Sequence, residues 1–246
     1  MQTVLHQTWL TQIPIAHRGL HDDTKPENSL SAFQAAINAG YAIELDLHLL
    51  KDQVLAVLHD FNTLRMTGKD AKIEELSSDQ LPQYRFINSS DSIPTFAQVL
   101  QLVKGRVPLL IEMKQSQQNE VAADILIDLL HHYRKECGGE YVVESFDPQF
   151  LFVLKQKAPE IIRGQLACLD SGQSDKEINK KLAICSYNDL TNPQFIAYSI
   201  TDMPLEFLNQ ARVNGMVILG WTVRTPEQLM QAKQYCDNVI FEKIRV

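Results

Sequence analysis

Glu44 and Asp46 stand two residues apart in the apolar run Ala42-Ile43-Glu44-Leu45-Asp46-Leu47. Side chains of a strand alternate between faces, so both carboxylates point the same way. Two ionised carboxylates about 4 Å apart repel by roughly 4 kcal/mol at an effective dielectric near 20, which calls for a cation, a shared proton or open water. Upstream, Ile13-Pro14-Ile15-Ala16 runs into His17, Arg18 and Gly19; downstream, Val54-Leu55-Ala56-Val57-Leu58 runs into His59 and Asp60. Glu112 and Lys114 close a further apolar run from Val107 and share one face by the same alternation.

Three hard oxygen donors, Glu44, Asp46 and Glu112, with little sulfur nearby suit Mg²⁺ or Ca²⁺ better than zinc. The rival reading pairs these acids with Arg18 and Lys114 in a structural charge cluster, a poor way to stabilise a core. Two positive side chains beside a cation imply an anionic substrate. Phosphate fits, gripped by the planar fork of Arg18 and the point charge of Lys114. His17 and His59 then suit an acid–base pair, one removing a proton from the attacking oxygen and the other protonating the leaving one. Glu27, in a loop after Pro26, is a candidate substrate contact, and Trp221, at a strand end, offers either a flat wall for substrate or core packing. His6, His21, His48, His131 and His132 receive no catalytic role; His21 and His48 are near enough in sequence to line the mouth of the site, whereas His131 and His132 read as solvated helix residues.

Eight short aliphatic or β-branched runs supply the strands: 13–17, 42–46, 107–113, 141–145, 161–166, 196–199, 216–221 and 239–241. Helical spacing fills most of the gaps, over 29–39, 95–103, 120–135, 148–156, 204–213 and 226–235. Asn28 or Ser29 is placed to cap the first helix, while Asp147-Pro148 and Thr225-Pro226 put proline in a first turn. Alternating strands and helices over 246 residues predict a (β/α)₈ TIM barrel, with a doubly wound open sheet as the alternative. The strand ends of such a barrel share one rim, where His17-Arg18, Glu44, Asp46, Glu112, Lys114 and Trp221 would converge. Residues 48–91 break the rhythm and are long enough for a small inserted subdomain; residues 170–193 mix helix and loop signals. With no repeat and no Gly/Ser linker, one domain over 1–246 is expected.

The chain is 45% apolar and 22% charged with a formal net charge of -7, a balance that argues against a nucleic-acid-binding task. Cys137, Cys168, Cys185 and Cys236 are scattered without metal spacing and are expected to be reduced, buried thiols. A basic leader with a long apolar core is missing from residues 1–10, and no window approaches the ~20 apolar residues of a membrane span, so a cytoplasmic location is expected. The oligomeric state is left open.

Taken together, His17-Arg18-Gly19, Pro26-Glu27-Asn28-Ser29 through Phe33, Gly40, Glu44-Leu45-Asp46-Leu47, His59-Asp60, Thr63-Leu64-Arg65-Met66-Thr67-Gly68, Ile93-Pro94-Thr95, Ile111-Glu112-Met113-Lys114 and Trp221-Thr222-Val223 resemble the glycerophosphodiester phosphodiesterase family along nearly the whole chain. The resemblance implies a TIM barrel with a subdomain inserted after the second strand. It further implies hydrolysis of a small-molecule glycerophosphodiester to glycerol 3-phosphate and an alcohol. A divalent cation on Glu44, Asp46 and Glu112, an acid–base pair of His17 and His59, and phosphate contacts from Arg18 and Lys114 are carried over with it. In similar enzymes the substrate's own glycerol hydroxyl attacks phosphorus, which removes the need for a Ser or Cys nucleophile. The chain departs from the family at Leu50 and Gln53, where threonine and glycine are usual, and at Ile240-Phe241-Glu242-Lys243, where Glu242 stands near the usual acid. Three other activities compete with the leading one: a lysophospholipase D-like or cyclising phosphodiesterase reaction, a Schiff-base aldolase using Lys114, and a non-catalytic phosphoester-binding module.

Overall fold

Parallel strands separated by helices make a (β/α)₈ barrel, in the strand order β1-β9-β8-β7-β6-β5-β4-β2-β3 with β1 also paired to β2. The strands are β1 (Ile15–Ala16), β2 (Ala42–Leu49), β3 (Leu55–Val57), β4 (Leu109–Met113), β5 (Tyr141–Ser145), β6 (Arg163–Ala167), β7 (Phe195–Ser199), β8 (Val217–Val223) and β9 (Asn238–Phe241). The structure, a computed structural model, describes Leu5, residues 8–171 and residues 176–246. His6, with residues 1–4 and 7 of the N-terminal leader reading and residues 172–175 of the mixed 170–193 segment, lies outside the described residues. Two compact units are distinguished, one from Ala16 to Tyr141 and one made of the residues before and after it.

In the unit from Ala16 to Tyr141, β2 runs three residues beyond the predicted end at Asp46. The extension has a cause: β3 turns back antiparallel on it, Leu47 opposite Val57 and His48 opposite Ala56. Ile43, Leu45 and Leu47 are fully buried on one face, and alternation puts Glu44, Asp46 and His48 on the other. β2 pairs in parallel with β4, setting Asp46 opposite Glu112. Ser29 caps the helix Leu30–Ala39 by accepting from the Ala32 N–H at 3.1 Å, leaving Asn28 free for another task. Between β3 and β4 the chain forms short helices at Leu64–Thr67, Ile73–Glu75 and Ser78–Gln83. Leu50, Ala56, Leu58, Ile73, Leu76, Leu81, Phe86 and Ile93 give this segment a small core of its own, at roughly 1.5–3 kcal/mol for each large side chain fully buried. At the turn joining β2 to β3, Gln53 has φ +60° and its N–H bonds the Leu50 carbonyl at 3.0 Å, a left-handed position that explains why glycine suits it.

In the other unit, β5 to β9 pair in parallel in sequence order, with Ser145 opposite Gln165, Tyr198 opposite Gly220 and Ser199 opposite Trp221. The mixed segment contains helices at Lys176–Ala183 and Asn188–Thr191. Buried Arg163 caps the second of them, donating to the carbonyls of Thr191 and Asn192 at 2.8 Å each. Asp147 and Thr225 cap their helices as the proline spacing predicts. All four cysteines are free, but Cys137 is exposed, contrary to expectation, because it ends the helix Asn119–Cys137 on its solvent side. His131 and His132 of the same helix are exposed. No helix among the described residues is long and apolar enough to cross a membrane.

Candidate active site

The chain leaves β1 through a tight left-handed turn, Arg18 at φ +54° and Gly19 at φ +79°. A Cβ on Gly19 would sit 2.9 Å from the Phe33 ring and 3.0 Å from Ala32, so only glycine allows the turn to pack on the helix Leu30–Ala39. The turn aims the Arg18 backbone N–H at Glu44 Oε2, 2.7 Å away, and brings His17 Nε2 to 4.0 Å from the same oxygen. Asn28 adopts φ +56°, a conformation asparagine tolerates, and its Nδ2 donates to Asp46 Oδ2 at 2.7 Å.

Asp46 is the hub. Lys114 Nζ lies 2.6 Å from Asp46 Oδ1 and 2.6 Å from Glu112 Oε1, and Arg18 Nε lies 3.4 Å from Asp46 Oδ2. Register explains the convergence: Asp46 opposite Glu112 on β2 and β4, and the Lys114 N–H bonding the Leu47 carbonyl at 3.0 Å. Burial works against the Asp46 charge, but Lys114 and then Arg18 hold its carboxyl well below the usual range. Glu112 behaves oppositely. Burial pushes it up to about 7, Lys114 counters, and neighbouring Asp46 adds to the rise. Burial depresses Lys114 and Arg18, yet the surrounding carboxylates win and raise both.

His59 follows β3, its Nδ1 2.7 Å from Asp60 Oδ1. Burial lowers its pKa against the opposing pull of Asp46. His48, only 3% exposed, stands beneath this loop with Nε2 3.2 Å from the His59 carbonyl and its ring edge-on to Phe61 at 4.8 Å. Burial pushes its pKa down to about 4, so it is neutral near pH 7. Glu27 accepts from Arg18 Nη1 at 2.7 Å.

Eight of the nine residues singled out in sequence, His17, Arg18, Glu27, Glu44, Asp46, His59, Glu112 and Lys114, thus belong to one compact unit. Trp221 belongs to the other unit, on β8, half-buried and edge-on to Phe146 at 5.8 Å, with a buried indole N–H that lacks a hydrogen-bond partner. Glu242 is held there by Arg224 Nε at 2.5 Å. Sequence reasoning passed over Asn28 as a cap and His48 as a lining residue. The signal for Asn28 was present: Ser29 is itself a good cap, so a preceding asparagine in a left-handed turn is available for Asp46.

Oxygens of Glu44, Asp46 and Glu112 all lie within 4.8 Å of one another, and all three residues are buried. These donors fit a hard divalent cation: three buried carboxylates converge within reach of one ion, and all of their ligand atoms are hard oxygens.

A family model described as the glycerophosphoryl diester phosphodiesterase family matches residues 17–246. A glycerophosphodiester phosphodiesterase of Caldanaerobacter subterraneus subsp. tengcongensis is 32% identical, with 92% of each chain covered. Some other curated relatives match over about half of this chain and less than two thirds of their own length. Among solved structures, a glycerophosphodiester phosphodiesterase from Thermotoga maritima is 27% identical at a TM-score of 0.72, covering 93% of this chain and 94% of that one. An Oleispira antarctica phosphodiesterase in complex with the product sn-glycerol-3-phosphate shares the fold at a TM-score of 0.77 and 18% identity, covering 96% and 95% of the two chains.

Proposed function

Because the chain belongs to the glycerophosphoryl diester phosphodiesterase family, a family of phosphoric diester hydrolases, we propose that it hydrolyses glycerophosphodiesters to glycerol 3-phosphate and an alcohol, using Mg²⁺ or Ca²⁺ held by Glu44, Asp46 and Glu112. The observation that carries the reading is three buried carboxylates gathered beside Lys114, Arg18 and His17. When bound, the cation would polarise a phosphoryl oxygen and lower the pKa of an attacking hydroxyl.

The chain's own groups supply the rest. Arg18, held by Glu27 at one nitrogen and near Asp46 at another, offers its remaining N–H groups to phosphate, and Lys114 adds a neighbouring charge. His59 has Nδ1 engaged by Asp60, which leaves Nε2 for proton transfer. His17, 4.0 Å from Glu44, is its acid–base counterpart. With the substrate's neighbouring glycerol hydroxyl as nucleophile, one imidazole removes its proton and the other protonates the departing alcohol; the resulting cyclic phosphate is then opened by water. Glu27 serves as a further substrate contact.

Incubation with glycerophosphocholine and either cation, read by coupled detection of glycerol 3-phosphate, tests the proposal. His17→Ala and Glu44→Ala should abolish release while retaining the fold by circular dichroism. Full turnover in either variant contradicts it. A second reading, lysophospholipid cleavage, is favoured by Phe61, Leu64 and Ile87, each more than half exposed beyond β3; turnover of lysophosphatidylcholine above glycerophosphocholine would select it.

A further inference from the structure

Arg65 comes from the short helix Leu64–Thr67 in the segment between β3 and β4, and its guanidinium grips two carboxylates at once. On one side Nε lies 2.5 Å from Asp60 Oδ2 and Nη2 lies 3.0 Å from Asp60 Oδ1. On the other, Nη2 lies 2.7 Å from Glu27 Oε1 and Nη1 lies 3.2 Å from Glu27 Oε2. Every guanidinium nitrogen and all four carboxylate oxygens take part. The same Asp60 Oδ1 meets His59 Nδ1, and the same Glu27 Oε1 meets Arg18 Nη1, each at 2.7 Å.

A continuous chain of charged hydrogen bonds therefore runs from His59 through Asp60, Arg65 and Glu27 to Arg18, whose Nε forms an ion pair with Asp46 at 3.4 Å. Resting on the acid–base and phosphate roles proposed above, we propose that Arg65 is a positioning residue that sets His59 and Arg18 together. It fixes the Asp60 carboxylate that selects the His59 tautomer, and it fixes the Glu27 carboxylate that turns Arg18 toward phosphate. An ordinary exposed ion pair is worth little, but a bidentate grip on both sides in a shared network is the exception. Lysine, a point charge, cannot span both carboxylates in this way. The segment after β3 thereby becomes part of site assembly, since its folding delivers the residue that holds both reacting ends.

The test compares Arg65→Gln, Asp60→Asn and the double variant for release of glycerol 3-phosphate, with the His59 ring nitrogens followed by NMR. Loss of outer hydrogen-bond partners typically lowers activity about 10- to 100-fold, and a kcat loss of that order is expected in Arg65→Gln. The double variant should fall no more than about twofold below the worse single one, because both substitutions break one linkage. The Nδ1–H signal of His59 should weaken in Arg65→Gln. A kcat within about twofold of the parent with unchanged ring signals would overturn the proposal, as would losses that multiply in the double variant. Should Arg65→Gln fail to fold, Arg65→Lys, which keeps the charge but lacks the fork, carries the same comparison. If the parent protein releases no glycerol 3-phosphate, the proposed activity fails while the ring signals still decide the role of Arg65.

Discussion

Removing the Lys114 ammonium should reveal how the acidic cluster is balanced. In Lys114→Met the side-chain volume is roughly retained, but Asp46 and Glu112 lose the nitrogen each holds at 2.6 Å. Were both to stay ionised, carboxylate oxygens within 4.8 Å would repel by at least about 3.5 kcal/mol at an effective dielectric near 20, and proton uptake by Glu112 holds the cost below that figure. Breaking a buried ion pair costs about 3–5 kcal/mol by independent experience. A loss near 3 kcal/mol is therefore expected in cation-free buffer, which lowers the urea midpoint by about 1 M for a slope near 3 kcal/mol/M. Two controls separate this cause from lost packing. Adding Glu112→Gln to Lys114→Met removes one of the opposed charges and should recover most of the loss. Millimolar Mg²⁺ or Ca²⁺ should raise the midpoint of the single variant more than that of the parent, since the cation no longer competes with an ammonium. An unchanged midpoint, or a loss indifferent to both Glu112→Gln and cation, would refute the reasoning.

Asn28→Ala should lower stability by about 1–3 kcal/mol in chemical denaturation, because buried Asp46 loses a donor at 2.7 Å. Burial pushes the Cys236 thiol from 9.0 up to about 12. Its folded pKa is raised, so stability present below pH 9 is lost as pH climbs toward 12; at pH 10 the deficit is on the order of 1 kcal/mol, and Cys236→Ala should flatten the alkaline limb of a urea-midpoint profile by that amount. At pH 8 a thiol reagent should label exposed Cys137 in the native protein and leave buried Cys168, Cys185 and Cys236 untouched.

Much of the barrel was legible because its strands are aliphatic runs punctuated by capped helices, and Ser29, Asp147 and Thr225 cap where their spacing predicts. β3 was seen as an apolar run but not as an antiparallel partner of β2, since pairing across a turn depends on register that periodicity alone does not carry. The helices at Lys176–Ala183 and Asn188–Thr191 were hidden in mixed signals, being short and polar. Period-two spacing revealed that Glu44 and Asp46 share a face, and the β2–β4 register adds Glu112. What spacing cannot show is which side chain answers which. Asn28 on Asp46, His48 under the His59 carbonyl and Arg65 across Glu27 and Asp60 are contacts between residues 11 to 38 positions apart, or between loop neighbours whose turn fixes their direction.

The most direct measurement is glycerol 3-phosphate release from glycerophosphocholine by protein stripped with chelator, followed as Mg²⁺ or Ca²⁺ is returned stepwise. Turnover that vanishes on stripping and returns with a single saturable cation requirement, lost in Glu44→Ala, is the predicted result. Full turnover in excess EDTA would contradict a cation held by Glu44, Asp46 and Glu112.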